Sequence, residues 1–253
     1  MIELIAHRGA CFEAPENSLQ AFQIAMDQGA TRIEFDVQLT RDGVPVVCHD
    51  ATTERLTGRR LEIEFSTLAE IRDLRLPNGE PIPTLDEACE LFSGKVEIDL
   101  EIKTSVPSAV SAIVQVLGRH RTGSDPFITS FDPTVLLGVH LAGFKGRRGL
   151  LIGSKSMNVR QRYYEAWPVS GLVSSRATDL VIHHMLAHRA LRRELSRRGL
   201  GLYLWTALED EQKPAQQRVA LYQKLVQMQP AGIIVARVEE CLLAVGRDLQ
   251  ARR

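Results

Sequence analysis

Eight short apolar runs constrain this 253-residue chain more than any other feature. They lie at residues 4–7, 32–39, 96–103, 127–131, 149–152, 180–183, 202–206 and 232–235. Each has the length of a strand, and helical patterns fall between most of them. The helices read at 18–28, 84–92, 107–117, 133–141, 184–198 and 216–227. Asn17 reads as the N-cap of the first, which stops at Gly29. Thr84 and Glu87 form a capping box for the second, and Asp132 caps the fourth. Eight strand-then-helix units predict an α/β chain folded as a parallel (β/α)8 barrel, a single domain over residues 1–253. No glycine-rich dinucleotide fingerprint follows the first strand, which argues against an open doubly wound sheet.

One run breaks the alternation. Residues 44–49 follow the second strand through Arg41-Asp42-Gly43-Val44, and Asp-Gly between β-like runs signals a hairpin. With Asp42 and Gly43 as the two loop residues, Arg41 pairs with Val44 and His49 falls opposite Asp36. The returning arm carries His49 to the barrel mouth. Residues 52–83 are too long for an ordinary loop and read as a small insertion with one helix near 67–74.

The strand patterns place the chemistry. In the second strand Ile33, Phe35, Val37 and Leu39 share one face, and Glu34, Asp36 and Gln38 share the other. In a barrel the apolar face meets the outer helices, so the acids point inward. Residues 96–103 repeat the pattern: Val96, Ile98, Leu100 and Ile102 face out, and Glu97, Asp99, Glu101 and Lys103 face in. An antiparallel strand with one wet face is the rival, and the helical patterns flanking 96–103 disfavour it. Carboxylates in a closed interior are costly unless paired or bound to metal. Barrel sites form at the C-terminal strand ends, which selects Glu34, Asp36, Glu101 and Lys103 and leaves Glu97 deeper. Three carboxylates without a nearby thiolate make a hard-oxygen site for one divalent cation, Mg²⁺ or Ca²⁺. His7 ends the first strand beside Arg8, and His49 returns to the same mouth. Two histidines can divide the roles of base and acid near neutral pH. With Arg8 and Lys103 as cations, the set suits an anionic phosphate ester. His120, His140, His183, His184 and His188 read as structural or surface groups.

Composition excludes more than it selects. Formal net charge is zero, so nothing global points to nucleic acid or an anionic membrane. Cys11, Cys48, Cys89 and Cys241 are scattered without a CxxC, which predicts reduced thiols rather than a zinc or redox site. The start MIELIAHRG turns polar after six residues, so no signal sequence is expected, and no apolar run approaches the ~20 residues of a membrane helix. The expected location is the cytoplasm, with no stable membrane insertion. Nothing in the sequence sets an oligomeric state.

At these residues the sequence resembles the glycerophosphodiester phosphodiesterase family. AHRG, APENS with a following AF, GATRIEFDVQLTRDGVPVVCHD and ERLTG carry the match, and IPTLDEA, LEIK, SFDP and LYLWT follow in the family's order. The first hundred residues are highly specific; the part after Phe131 matches more loosely. The resemblance implies a (β/α)8 barrel with a small insertion after the HD motif. It implies His7 and His49 as the acid–base pair, Glu34, Asp36 and Glu101 as ligands of one divalent metal, and Arg8 and Lys103 as phosphate contacts. Trp205 is similar to the tryptophan that lines the glycerol side. The implied reaction is hydrolysis of a small-molecule glycerophosphodiester to glycerol 3-phosphate and an alcohol. Two other readings keep the same barrel: a lysophospholipase D-like phosphodiesterase, and a catalytically silent barrel that binds phospho-ligands. The sequence departs from the family where WTALED and GIIVARVEE stand. Polar residues usual near the last two strands are missing there, and that bears on the alcohol pocket.

Overall fold

The computed structural model describes residues 2–120, 123, 125–153 and 159–246; Met1, residues 121, 122, 124, 154–158 and 247–253 lie outside it. In chain order the elements are β1 (Glu3–His7), α1 (Leu19–Asp27), β2 (Arg32–Leu39), β3 (Pro45–Val47), α2 (Glu54–Thr57), α3 (Leu68–Arg72) and α4 (Leu85–Phe92). There follow β4 (Glu97–Ile102), α5 (Pro107–Arg119), β5 (Phe127–Ser130), α6 (Pro133–Leu141), β6 (Arg147–Ile152), α7 (Val159–Ala166) and α8 (Pro168–Ser175). The chain ends through β7 (Asp179–His183), α9 (Arg189–Arg197), β8 (Gly201–Trp205), α10 (Leu208–Glu211), α11 (Ala215–Gln227), β9 (Gly232–Val235) and α12 (Val238–Val245).

Eight strands pair in parallel and close on themselves: the order β1-β9-β8-β7-β6-β5-β4-β2 is completed by β1 against β2. This is the expected (β/α)8 barrel. Every residue of β2 and β4 is buried. Their odd and even positions nonetheless meet different surroundings, as a two-residue period requires. Ile33, Phe35, Val37, Ile98, Leu100 and Ile102 join the outer core under the helices. There Phe22, Phe35 and Phe92 pack at centroid distances of 5.1–5.7 Å. Burying each such side chain contributes about 1.5–3 kcal/mol. Inside the barrel Ile5, Phe127, Leu151, Val181, Tyr203 and Ile234 form a separate apolar layer. Below it the barrel closes on ion pairs: Arg32 meets Glu3 at 2.7 Å, and Arg147 meets Asp179 at 2.6 Å.

Several local expectations are corrected. The hairpin loop has three residues, because Thr40 N–H donates to Val44 O at 3.1 Å and Gly43 takes φ +80°. An αL glycine as third loop residue is the usual way to close such a turn. Val37 therefore pairs with Val47, and Cys48 N–H donates to Asp36 O at 3.0 Å. Cys48, not His49, stands against Asp36. The N-cap of α1 is Ser18, whose hydroxyl accepts from Ala21 N–H; Asn17 lies before it at φ +60°. The stretch expected to be helical over 184–198 begins as a 3₁₀ turn, His184–Leu186, and His188 caps the true helix α9. The short helices α2 and α10, and the helices α7, α8 and α12, had no expectation. In the insertion, α3 does form, with the capping box Thr67–Glu70. The four cysteines are free thiols. Among the described residues no helix is long and apolar enough to cross a membrane.

Candidate active site

Parallel strands leave their C-terminal ends at one rim, and the histidines, acids and cations expected from sequence meet there. His7, Arg8, Glu34, His49, Glu101, Lys103 and Trp205 line one cavity of about 1020 Å³, whose wall also holds Asp50, Arg55, Phe131 and His183. Parallel register sets Asp36 beside Glu101 and Glu34 beside Asp99, while His7 of β1 stands beside Glu34. β1 reaches only to Glu34 along β2, and β3 takes the pairing positions beyond it. That geometry brings His49 back over the end of β1.

The carboxylates of Glu34, Asp36 and Glu101 each offer an oxygen within 4.8 Å of the others. All three residues are buried. Asp36 Oδ1 accepts no hydrogen bond and has the Lys103 ammonium at 3.4 Å. Asp36 Oδ2 accepts from Asn17 Nδ2 at 2.8 Å and faces Arg8 Nε at 3.2 Å. Glu34 Oε2 accepts from Arg8 N–H at 3.0 Å, and Glu101 Oε1 accepts from Lys103 Nζ at 2.8 Å. An all-oxygen donor set holding a buried oxygen without a hydrogen bond fits a hard divalent cation.

The charges are unequally settled. Burial and then the neighbouring acids Asp36, Asp99 and Glu101 raise the Glu34 carboxyl well above its ordinary value. Burial pushes Glu101 up to about 7 against the pull of Lys103. Burial also pushes Asp36 up, but Arg8 and Lys103 outweigh it and hold that carboxyl low. Burial, reinforced by Arg8, holds the His7 imidazole well below its ordinary value. His49 is lowered by burial, with Asp36 pulling the other way. Such opposed shifts within one cluster are what a reactive site requires.

Four further residues organise the site and were not assigned from sequence. Glu16 accepts from Arg8 Nη1 at 3.0 Å and from both terminal nitrogens of Arg55, at 2.9 and 2.7 Å. Arg55 Nε donates to Asp50 Oδ2 at 2.6 Å, and Asp50 Oδ1 meets His49 Nδ1 at 2.7 Å. A chain of ion pairs thus joins the surroundings of Arg8 to those of His49. Asn17 reads as a helix cap, yet it positions Asp36. The signal available was adjacency: Glu16 and Asn17 sit in the APENS motif, and Asp50 follows His49. Arg8 itself takes φ +56°, a costly conformation for a non-glycine residue, and its carbonyl accepts from Asn17 N–H at 3.1 Å.

Trp205 donates its indole N–H to Ile152 O at 3.1 Å and stands edge-on to Phe131 and His183. His183, read from sequence as a structural or surface group, lines the cavity. His120 is paired with Asp86 at 3.0 Å.

A family model described as "Glycerophosphoryl diester phosphodiesterase family" matches residues 7–240. A glycerophosphodiester phosphodiesterase of Caldanaerobacter subterraneus subsp. tengcongensis is 37% identical over 140 residues, covering 51% of this chain and 58% of the relative. The human glycerophosphodiester phosphodiesterase 1 is 38% identical over 146 residues, covering 53% of this chain and 44% of the relative. The chain thus spans about half the length of the curated relatives it matches. A solved Oleispira antarctica phosphodiesterase, in complex with the product sn-glycerol-3-phosphate, shares the fold with a TM-score of 0.79 over 96% of both chains at 24% identity. The chain belongs to the glycerophosphoryl diester phosphodiesterase family.

Proposed function

We propose that this protein hydrolyses glycerophosphodiesters to glycerol 3-phosphate and an alcohol, in a divalent-metal-dependent reaction with two histidines as base and acid. The observation that carries this reading is the convergence of two histidines and two cations on one cavity beside a cluster of three carboxylates, two of which line it, in a chain of this family. Glu34, Asp36 and Glu101 would hold one Mg²⁺ or Ca²⁺, whose positive charge would stabilise the phosphate in the transition state. Arg8 and Lys103 bind nonbridging phosphate oxygens; both are already oriented by the acids, so little reorganisation opposes the reaction. Trp205 and Phe131 offer apolar surface to the carbon skeleton of the substrate.

The two histidines differ in a way that supports separate roles. His7 has a side chain only 13% exposed, and burial with Arg8 nearby favours its neutral form, which suits a base. It takes the proton of the nucleophile, either water or the hydroxyl of the substrate's own glycerol. The His49 side chain is 30% exposed and bonded to Asp50, which opposes the lowering by burial and keeps a proton on Nδ1. Once a second proton is taken up at Nε2, that nitrogen protonates the leaving alkoxide.

The test is one assay. Metal-stripped protein is incubated with glycerophosphocholine, Mg²⁺ or Ca²⁺ is returned, and glycerol 3-phosphate is measured. Activity should depend on the added ion, and His7→Ala and His49→Ala should each lower kcat by roughly 10²- to 10⁴-fold. No turnover with either ion on any headgroup would refute the hydrolase reading and leave a phospho-ligand-binding barrel.

A further inference from the structure

Two groups of metal-capable side chains occur among the described residues, and the second is remote from the acidic centre. It comprises His183, His184 and Asp210. β7 stands opposite β2 in the ring, four strands away in either direction. His183 ends β7, His184 opens the 3₁₀ turn after it, and Asp210 belongs to α10. WTALED, where the sequence departs from its family, supplies that aspartate.

We propose that His183, His184 and Asp210 form a second metal site, selective for a borderline transition-metal ion such as Zn²⁺ rather than Mg²⁺ or Ca²⁺. The Nε2 atoms of both imidazoles converge on the same oxygen, Asp210 Oδ2, at 3.5 Å for His183 and 3.0 Å for His184. Ligands bound at 2.0–2.1 Å around a tetrahedral ion lie about 3.4 Å apart, so the observed separations bracket that edge. Two imidazoles and one carboxylate are a zinc-type donor set, with a fourth position left open. The carboxylate is already constrained: Oδ2 accepts from Ala207 N–H at 3.2 Å, and Oδ1 meets the Lys213 ammonium at 2.5 Å. Asp210 and His184 are buried, with 8% exposure each, so the group is built into the fold.

Metal binding requires little rearrangement. Each neutral imidazole moves its ring proton from Nε2 to Nδ1, and Nε2 then donates its lone pair, with no net proton release. At His183 this ends the 3.4 Å contact from Met185 N–H to Nδ1. At His184 nothing is displaced, because Nδ1 is buried without a hydrogen-bond partner. Lys213 is the opposing element, since its charge repels a cation on the far side of the carboxylate. His183 is also part of the cavity wall, so an ion there would border the same cavity from the side opposite the acidic centre.

Co²⁺ tests this independently of any reaction. Four-coordinate cobalt with imidazole ligands absorbs strongly in the visible, whereas six-coordinate cobalt among oxygens absorbs weakly. Titration of the full chain with excess Mg²⁺ present should give a strong band saturating near one equivalent. His184→Gln and Asp210→Asn should each weaken Co²⁺ binding at least 10-fold, and Glu34→Gln should leave the band intact. Lys213→Met should tighten binding several-fold, a gain that misfolding cannot imitate. Absence of the band in the unmodified protein would overturn the site. So would a band that survives both His184→Gln and Asp210→Asn, one that vanishes with Glu34→Gln, or one unaltered by Lys213→Met.

Discussion

Asn17 uses its whole amide on one partner: Nδ2 donates to Asp36 Oδ2 at 2.8 Å, and Oδ1 accepts from Asp36 N–H at 3.3 Å. That pair of bonds fixes the direction of a carboxylate assigned to the metal. Groups that orient metal ligands matter nearly as much as the ligands themselves. Asn17→Ala should therefore weaken Mg²⁺ or Ca²⁺ binding by roughly 10- to 100-fold, measured by isothermal titration calorimetry. Ser18→Ala is the control, because Ser18 caps α1 by accepting from Ala21 N–H at 3.0 Å. It should lower stability by about 1 kcal/mol and leave metal affinity unchanged. Asp50→Asn tests the other side of the site. It removes the anionic partner of His49, so kcat should fall with little change in KM.

At the scale of elements, the junction between β1 and α1 sets the entrance to the site. Gly9 takes φ +76°, and a Cβ there would lie 2.7 Å from the Ala21 carbonyl carbon. Only glycine lets α1 sit this close to the turn after His7 and Arg8. Gly9→Ala should cost about 2 kcal/mol or more, from the left-handed backbone and the overlap together. In a thermal melt that corresponds to a Tm lower by roughly 4–8 °C. Metal affinity should fall too, since Arg8 N–H and Asn17 belong to the same turn. Elements were legible wherever a period was strong. The acids of β2 and β4 alternate cleanly with apolar residues, and the capping box of α4 stands in the sequence. The hairpin register was not legible, because a two-residue and a three-residue loop place the same Asp-Gly between the same strands.

At the scale of the molecule, the inward faces of β2 and β4 gather carboxylates that the interior must neutralise. Glu101 and Asp99 are both pushed up to about 7, each chiefly by burial. A carboxyl whose pKa is higher folded than unfolded supports stability below its ordinary range near 4.5, and that support is lost as pH rises through about 7. A divalent cation must displace the proton held by Glu101, and the Glu34 carboxyl is raised as well. Its affinity should therefore fall as pH drops below about 7. The expected outcome is a rise in Tm on adding Mg²⁺ or Ca²⁺ that is larger at pH 8 than at pH 5.5. Saturation at 100 times Kd would contribute about 2.7 kcal/mol. Equal gains at both pH values would place the ion away from these carboxylates.

The sequence by itself determined the barrel, the inward acids and the two histidines, because a two-residue period and strand-end positions are properties of the local chain. The tertiary structure alone decided what those groups touch. It turned Asn17 from a presumed cap into the partner of Asp36 and linked Glu16 to Arg55, 39 residues apart. It also brought His184 to Asp210, 26 residues on. Contacts between distant segments depend on closure of the ring and on loop geometry, and neither leaves a periodic trace in the residues that make them.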